Sequence, residues 1–131
     1  MKDWIISDFQ ANVEHMLIRH KCVLDTLTKL SESTARLNRA VIKSATNCGC
    51  IRVEGKKRSL NEDIDFEHLS ELADTGVKGT LCDGCREIIE KELGTLMFYS
   101  AGLCNALDLS LYDTILKEEG RLQTLGRFSL R

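Results

Sequence analysis

The stretch Cys82-Asp83-Gly84-Cys85 leads directly into a segment with helical spacing, Arg86-Glu87-Ile88-Ile89. A second pair of cysteines, Cys48-Gly49-Cys50, lies upstream and is separated from the first by residues 51–81. Each pair can supply two sulfur atoms from one tight turn, and a metal ion that joins both turns completes a tetrahedral four-thiolate site. We therefore predict a structural zinc site whose ligands are Cys48, Cys50, Cys82 and Cys85.

Two other uses of these four cysteines remain open at this point. A Cys-x-x-Cys pair at the start of a helix is also typical of redox-active thiols, because the free N–H groups of the first turn stabilise a thiolate, here expected at Cys85. Four thiolates are also the ligand set of iron–sulfur clusters, so the sequence does not separate zinc from iron. A catalytic zinc is not expected, since four protein ligands leave no position for water.

Length and composition favour a single helical domain over residues 1–131, in which the cysteines bracket a connector over residues 48–85. The formal net charge of −2 does not indicate a nucleic-acid partner. No apolar run is long enough to span a membrane, and Asp3 follows too early for a signal peptide. We expect a cytoplasmic protein, in which clustered cysteines stay reduced and bind metal more often than they form disulfides.

Apolar spacing predicts helices on both sides of the connector, and the chain contains no proline. The first helical pattern covers residues 3–46 as one helix or two, the second covers residues 84–107, and Ser110 is expected to cap a last helix that ends at Gly120 or Gly126. Within the connector we expect a short extended segment at residues 51–53, a turn at 54–57, a short helix after Asp65 and a loop at 76–80. The predicted class is all-α, a bundle of four or five helices with a small zinc knuckle between the two long ones.

Several other side chains carry expectations that the structure can test. Cys22 and Cys104 lie in apolar helical stretches and are predicted to be buried, and Trp4 and Phe9 are predicted to belong to the core. The histidines show no ligand spacing and are expected at the surface or in packing roles. Four thiolates around Zn²⁺ carry a net local charge of −2, which nearby basic residues could compensate: Arg52, Lys56, Lys57, Lys78 and Arg86.

The second half of the chain, from Glu92-Leu93-Gly94-Thr95-Leu96 through Leu107-Asp108-Leu109, resembles the MazG-type all-α NTP pyrophosphohydrolases. The earlier stretch Lys29-Leu30-Ser31-Glu32, continuing to Leu37, resembles their first motif. The resemblance covers about residues 24–121 in the order of elements. The whole chain also resembles a group of small bacterial proteins in which cysteine pairs lie between the motif helices. The resemblance to the MazG-type enzymes implies a MazG-like helix arrangement and assembly as a homodimer or homotetramer.

In that family four acidic residues on two helices hold Mg²⁺, which neutralises a triphosphate and positions water. Glu32 and Glu92 match two of these positions, whereas Arg36 and Thr95 occupy the other two. Arg36 lies one turn after Glu32 on the same helix face, where it would repel a divalent ion and could pair with Glu92. We therefore expect Glu32, Arg36 and Glu92 to form a structural ion-pair network.

Three hypotheses for function follow from these motifs. The favoured one is a zinc-stabilised, non-catalytic MazG-like protein that binds a nucleotide or a protein partner. The second is an active magnesium-dependent pyrophosphohydrolase that uses Glu32 and Glu92, for which magnesium would be the cofactor. The third is a thiol-based redox or metal sensor that uses Cys82 and Cys85. The sequence does not identify a substrate, a ligand or the size of an oligomer.

Overall fold

The computed structural model describes residues 2–55 and 74–126. These residues form four α-helices and a two-stranded sheet: α1 Lys2–Met16, α2 Val23–Lys43, β1 Ile51–Val53, β2 Val77–Gly79, α3 Asp83–Ala106 and α4 Leu111–Leu125, with a π-helical turn, Ser44–Cys48, after α2. The mostly helical class is confirmed. No helix in the described ranges is long and apolar enough to cross a membrane. The helix expected after Asp65 lies outside the described residues.

The helical pattern over residues 3–46 forms two helices, with a break at residues 17–22. His20 adopts a left-handed conformation with φ of 59° there, which a continuous helix does not allow. The buried Thr26 hydroxyl donates hydrogen bonds to the carbonyl oxygens of His20 and Cys22, at 2.8 and 3.2 Å. The break contains neither proline nor glycine. It is stabilised instead by a threonine side chain of the next helix, which satisfies the loop carbonyls.

The main packing unit is the pair of long helices, α2 and α3. Small side chains recur every seven residues on α2, at Thr26, Ser33 and Ala40, of which Thr26 and Ser33 are buried. Residues seven positions apart lie on one face of a helix, and the short side chains on this face allow α3 to approach α2 closely. The prediction of a long helix over residues 84–107 is confirmed within one residue at each end.

The core lies where α1 crosses the end of α3, and it centres on Val13, Leu17 and Ala101. Gly102 permits this crossing, because a Cβ atom there would meet Leu17 Cδ2 at 2.7 Å. Phe9 packs against this cluster, as predicted, and so do Phe98, Tyr99 and Leu111. Cys104 is buried, as predicted.

Two predictions of burial are wrong. Trp4 is 71% exposed because it lies nine residues from Val13, two and a half turns away and hence on the opposite face of α1. Cys22 is exposed because its extended backbone forms the N-cap position of α2, ahead of the face that packs on α3.

A glutamine in α1 holds the corner between α3 and α4. The Gln10 amide donates to Asn105 Oδ1 at 2.9 Å and to the Leu109 carbonyl at 2.7 Å, and its oxygen accepts from Leu111 N–H at 2.8 Å. The Ser110 hydroxyl accepts from Asp113 N–H at 3.1 Å, which confirms Ser110 as the cap of the last helix. That helix continues through Gly120 and ends at Gly126.

The predicted extended segment at residues 51–53 is β1, and its partner strand lies far along the chain. β1 pairs antiparallel with β2, which lies in the region predicted as a loop, with Ile51 opposite Gly79 and Val53 opposite Val77. A three-residue strand with a lysine and a glycine has too little periodicity to be recognised from sequence. This sheet brings the two ends of the connector side by side.

Candidate metal centre

The first cysteine arm, residues 48–50, is formed at the distorted end of α2. The π-helical turn ends at Cys48, and Gly49 follows in a left-handed conformation with φ of 79°. Its N–H donates to the Ser44 carbonyl at 2.9 Å, which closes the turn. The Cys50 thiol lies 3.7 Å from the same carbonyl oxygen and can donate to it. Gly49 therefore folds the chain back so that both sulfur atoms of this pair lie on one side.

The second cysteine arm, residues 82–85, follows β2, and the pairing of β2 with β1 sets its position. Gly79 has φ of 89°, and a Cβ atom there would lie 2.7 Å from the Cys50 carbonyl oxygen. Only glycine tolerates both the backbone angle and this approach, so Gly79 allows the second arm to run directly against the first. Helix α3 then begins at Asp83, with Cys82 as its N-cap residue.

The four cysteine sulfur atoms converge at this junction. All of the Sγ atoms of Cys48, Cys50, Cys82 and Cys85 lie within 4.8 Å of one another, and those of Cys48 and Cys82 are 3.8 Å apart. A tetrahedral site with zinc–sulfur bonds of about 2.3 Å has sulfur–sulfur edges of about 3.8 Å. The four cysteines could therefore hold one tetrahedral metal ion.

Hydrogen bonding divides the thiols into unequal acids. The backbone N–H of Cys85 donates to Cys82 Sγ at 3.4 Å and, with help from the neighbouring thiols, lowers the pKa of Cys82 to about 7. The Cys82 thiol and burial raise the pKa of Cys85 to about 12. The helix start therefore stabilises a thiolate at Cys82 and not at Cys85, because the capping position and not the first turn receives the free N–H.

The structure describes three of the five basic residues that were expected to compensate the charge of the cysteine site. Lys78 Nζ lies 3.2 Å from Asp74 Oδ2, so its charge is already paired. Arg52 and Arg86 are exposed, and Lys56 and Lys57 lie outside the described residues. The predicted charge compensation stays a prediction.

A second group of charged residues lies between α2 and α3. Arg36 Nε is 3.4 Å from Glu92 Oε2, and Arg36 Nη1 is 3.8 Å from Glu32 Oε1. The Lys29 ammonium donates to Glu32 Oε2 at 3.1 Å, and this hydrogen bond lowers the pKa of Glu32. Glu92 is the least exposed member, with 16% of its side chain accessible. Two cations thus accompany two carboxylates.

Among the described residues, Glu87, Glu90 and Asp108 do not complete a second cluster of acidic ligands beside Glu32 and Glu92. The Thr95 hydroxyl donates to the Lys91 carbonyl at 3.1 Å within its own helix. Among residues 2–55 and 74–126, the four cysteines are the one group of three or more metal-ligating side chains close enough to share an ion. Glu87, Glu90 and Asp108 therefore do not converge with Glu32 and Glu92.

No family model, curated protein or solved structure matches this chain. The sequence indicated the four cysteines that converge here, but it did not indicate the roles of Lys29, Ser44 and Gly79, which support the two clusters. The spacing of Lys29 and Glu32 on one helix was a usable signal. Gly79 carried no such signal before the strand pairing was known.

Proposed function

We propose that this protein is a zinc-stabilised helical scaffold, a non-catalytic relative of the MazG-like pyrophosphohydrolases, that acts by binding a nucleotide or a protein partner. The observation that carries the proposal is the position of Arg36. Its guanidinium lies between Glu32 and Glu92, the two acidic residues that match the magnesium ligands of the family. A permanent cation there offsets the negative charge that Mg²⁺ would need.

Zinc is the metal that the donor set favours. Four thiolates in a tetrahedral arrangement suit Zn²⁺ or an iron–sulfur cluster and do not suit the hard ions Mg²⁺ and Ca²⁺. Because four cysteines fill the coordination shell, the bound ion would be structural. Cys48 and Cys50 would hold it from the end of α2, and Cys82 and Cys85 from the start of α3. The ion would thereby fix how the two long helices meet.

A binding role is supported by the surface that the helices leave uncovered. In α4 the apolar residues Ile115, Leu122 and Leu125 recur at intervals that place them along one face, and all three are exposed. An isolated helix of this length is only marginally stable in water, so a covering surface would stabilise it. We propose that a homodimer or homotetramer supplies that surface, in agreement with the resemblance.

Elemental analysis of the purified protein tests the metal. We expect one zinc per chain and a large loss of thermal stability when a strong chelator is added. Iron with visible absorbance, or a protein whose unfolding temperature does not respond to the chelator, would contradict the structural zinc site.

A pyrophosphate-release assay with Mg²⁺ and a panel of nucleoside triphosphates tests the catalytic part. We expect the protein and its Glu92→Gln variant to show the same background rate. Release that requires Mg²⁺ and disappears in Glu92→Gln would establish an active pyrophosphohydrolase instead. Light scattering of the same sample tests assembly, for which a monomer at micromolar concentration would be the contrary result.

A further inference from the structure

We propose that the metal centre is also a modification site, in which a hydroperoxide oxidises Cys48 and Cys82 to a disulfide bond and thereby releases the zinc ion. This inference rests on the proposed zinc site. It depends on which pair of sulfur atoms is both close and accessible.

Solvent exposure distinguishes this pair from the other sulfur pairs of the site. The Sγ atoms of Cys48 and Cys82 are 3.8 Å apart, and both residues are exposed, whereas Cys50 and Cys85 are half-buried. A disulfide bond needs a sulfur–sulfur distance of about 2.05 Å. Exposed side chains can close this gap by rotation about their own torsions. Cys48 is the last residue of a π-helical turn and Cys82 is the N-cap residue of α3, so neither lies within an α-helix.

The reaction balances without any further reactant. The Cys82 thiolate attacks an oxygen of the hydroperoxide, so the O–O bond breaks and a sulfenic acid forms while an alcohol, or water, leaves. The Cys48 thiolate then attacks the sulfenic sulfur, the S–S bond forms and hydroxide leaves. Two thiolates, one hydroperoxide and two protons from solvent give one disulfide, one alcohol and one water. The remaining two cysteines do not fill a tetrahedral shell, so zinc dissociates.

Oxidation would alter the junction of α2 and α3, because the zinc ion joins the cysteine arms at the ends of these two helices. A disulfide between Cys48 and Cys82 keeps α2 and α3 linked, whereas Cys50 and Cys85 lose their shared ligand. The site would therefore convert from four-point to two-point attachment without separating the helices. A thiol reductant would reverse the change, because it restores both thiolates.

The experiment treats the zinc-loaded protein with hydrogen peroxide and follows zinc with an indicator dye. Free thiols are then alkylated and the protein is digested with trypsin. Residues 44–52 and 79–86 form two peptides, each with two cysteines, so every cross-link between the arms gives the same linked mass. Fragmentation of the linked species locates the alkylated cysteine in each peptide. We expect alkylation at Cys50 and Cys85 and a link between Cys48 and Cys82.

Controls separate this reaction from general oxidation. Cys22 is the exposed thiol outside the cluster, so Cys22→Ser should release zinc within about twofold of the original rate. Cys48→Ser should lose the link, and if it does not fold, the mapping on the unaltered protein still decides the question. A link within one arm, a scatter of links between the arms, or zinc that stays bound under excess peroxide would overturn the inference. Zinc that stays bound would leave the structural site intact, whereas a purified protein without zinc would contradict the proposed function itself.

Discussion

The junction of α2 and α3 carries two clusters of metal-ligating side chains with opposite character. At the cysteine end, four sulfur atoms converge within 4.8 Å of one another. On the helix face, Glu32 and Glu92 are joined by Arg36, and Lys29 adds a second cation beside Glu32. The two clusters therefore differ in whether a cation already lies among the candidate ligand atoms.

The largest effect is expected from breaking the cysteine cluster. Cys85→Ser should lose zinc, because a hydroxyl is a poor substitute for a thiolate ligand. Structural zinc contributes an apparent ~10–16 kcal/mol in small zinc domains, and losing only about 3 kcal/mol of this should lower Tm by roughly 10 °C. Elemental analysis and thermal melts measure both quantities. The matched control is Cys22→Ser, which should keep its zinc and shift Tm by little, and equal effects in the two variants would remove the distinction.

Acidification should weaken the cysteine cluster in a defined direction. Metal binding requires four thiolates, and the pKa of Cys85 is raised to about 12 by the Cys82 thiol and by burial. Zinc must therefore displace the Cys85 proton at any pH below that value. Hydrogen bonds within the thiol cluster also raise the pKa of Cys48, so its proton must be displaced as well, and Cys82, whose pKa is lowered to about 7, adds a further displaced proton only below pH 7.

Each displaced proton changes the apparent affinity about tenfold per pH unit. Competition with a chromophoric chelator between pH 6 and pH 8 should therefore show an affinity that falls as the pH falls, and more steeply below pH 7. A pH-independent affinity over this range would mean that all four thiols are already ionised before the metal binds. That result would contradict the raised pKa of Cys85.

The comparison also shows what the sequence could predict. The grouping of the four cysteines and the long helix over residues 84–107 could be predicted, because close cysteine pairs and apolar periodicity are local patterns. The break at His20 was not, because it depends on the Thr26 hydroxyl, which reaches back to the loop carbonyls. The pairing of β1 with β2 joins segments far apart in sequence and depends on Gly79 in contact with the Cys50 carbonyl. Such long-range contacts leave no periodic trace.

A change at the far end of the bundle tests whether the metal effect is local. Gln10→Leu removes the amide that bonds to Asn105, Leu109 and Leu111, and it leaves polar groups without partners. We expect a loss of about 1–3 kcal/mol in the free energy of unfolding, with no change in zinc content. Gln123→Leu, on an exposed position of α4, is the control and should have little effect. Loss of zinc in Gln10→Leu would mean that the two ends are coupled.

The smallest effect on stability is expected at the helix face. Arg36→Gln removes the cation from between Glu32 and Glu92, but its side chain is 62% exposed. Exposed ion pairs contribute ~0–1 kcal/mol, so urea unfolding should shift by less than about 1 kcal/mol. A loss of several kcal/mol would mean that the network, and not the packing of small residues, holds α2 against α3.

The same face can be changed to test whether Arg36 and Thr95 prevent metal binding. In the double variant Arg36→Glu with Thr95→Asp, two carboxylates replace a cation and a hydroxyl at the positions that the MazG-like resemblance assigns to ligands. Four carboxylates without Arg36 should bind Mn²⁺, because hard divalent ions prefer oxygen ligands. Calorimetric titration should detect Mn²⁺ binding in the double variant and none in the original protein or in Arg36→Gln. Binding by the original protein would show that Arg36 does not exclude the ion, and the contrast between the two clusters would then rest on ligand softness alone.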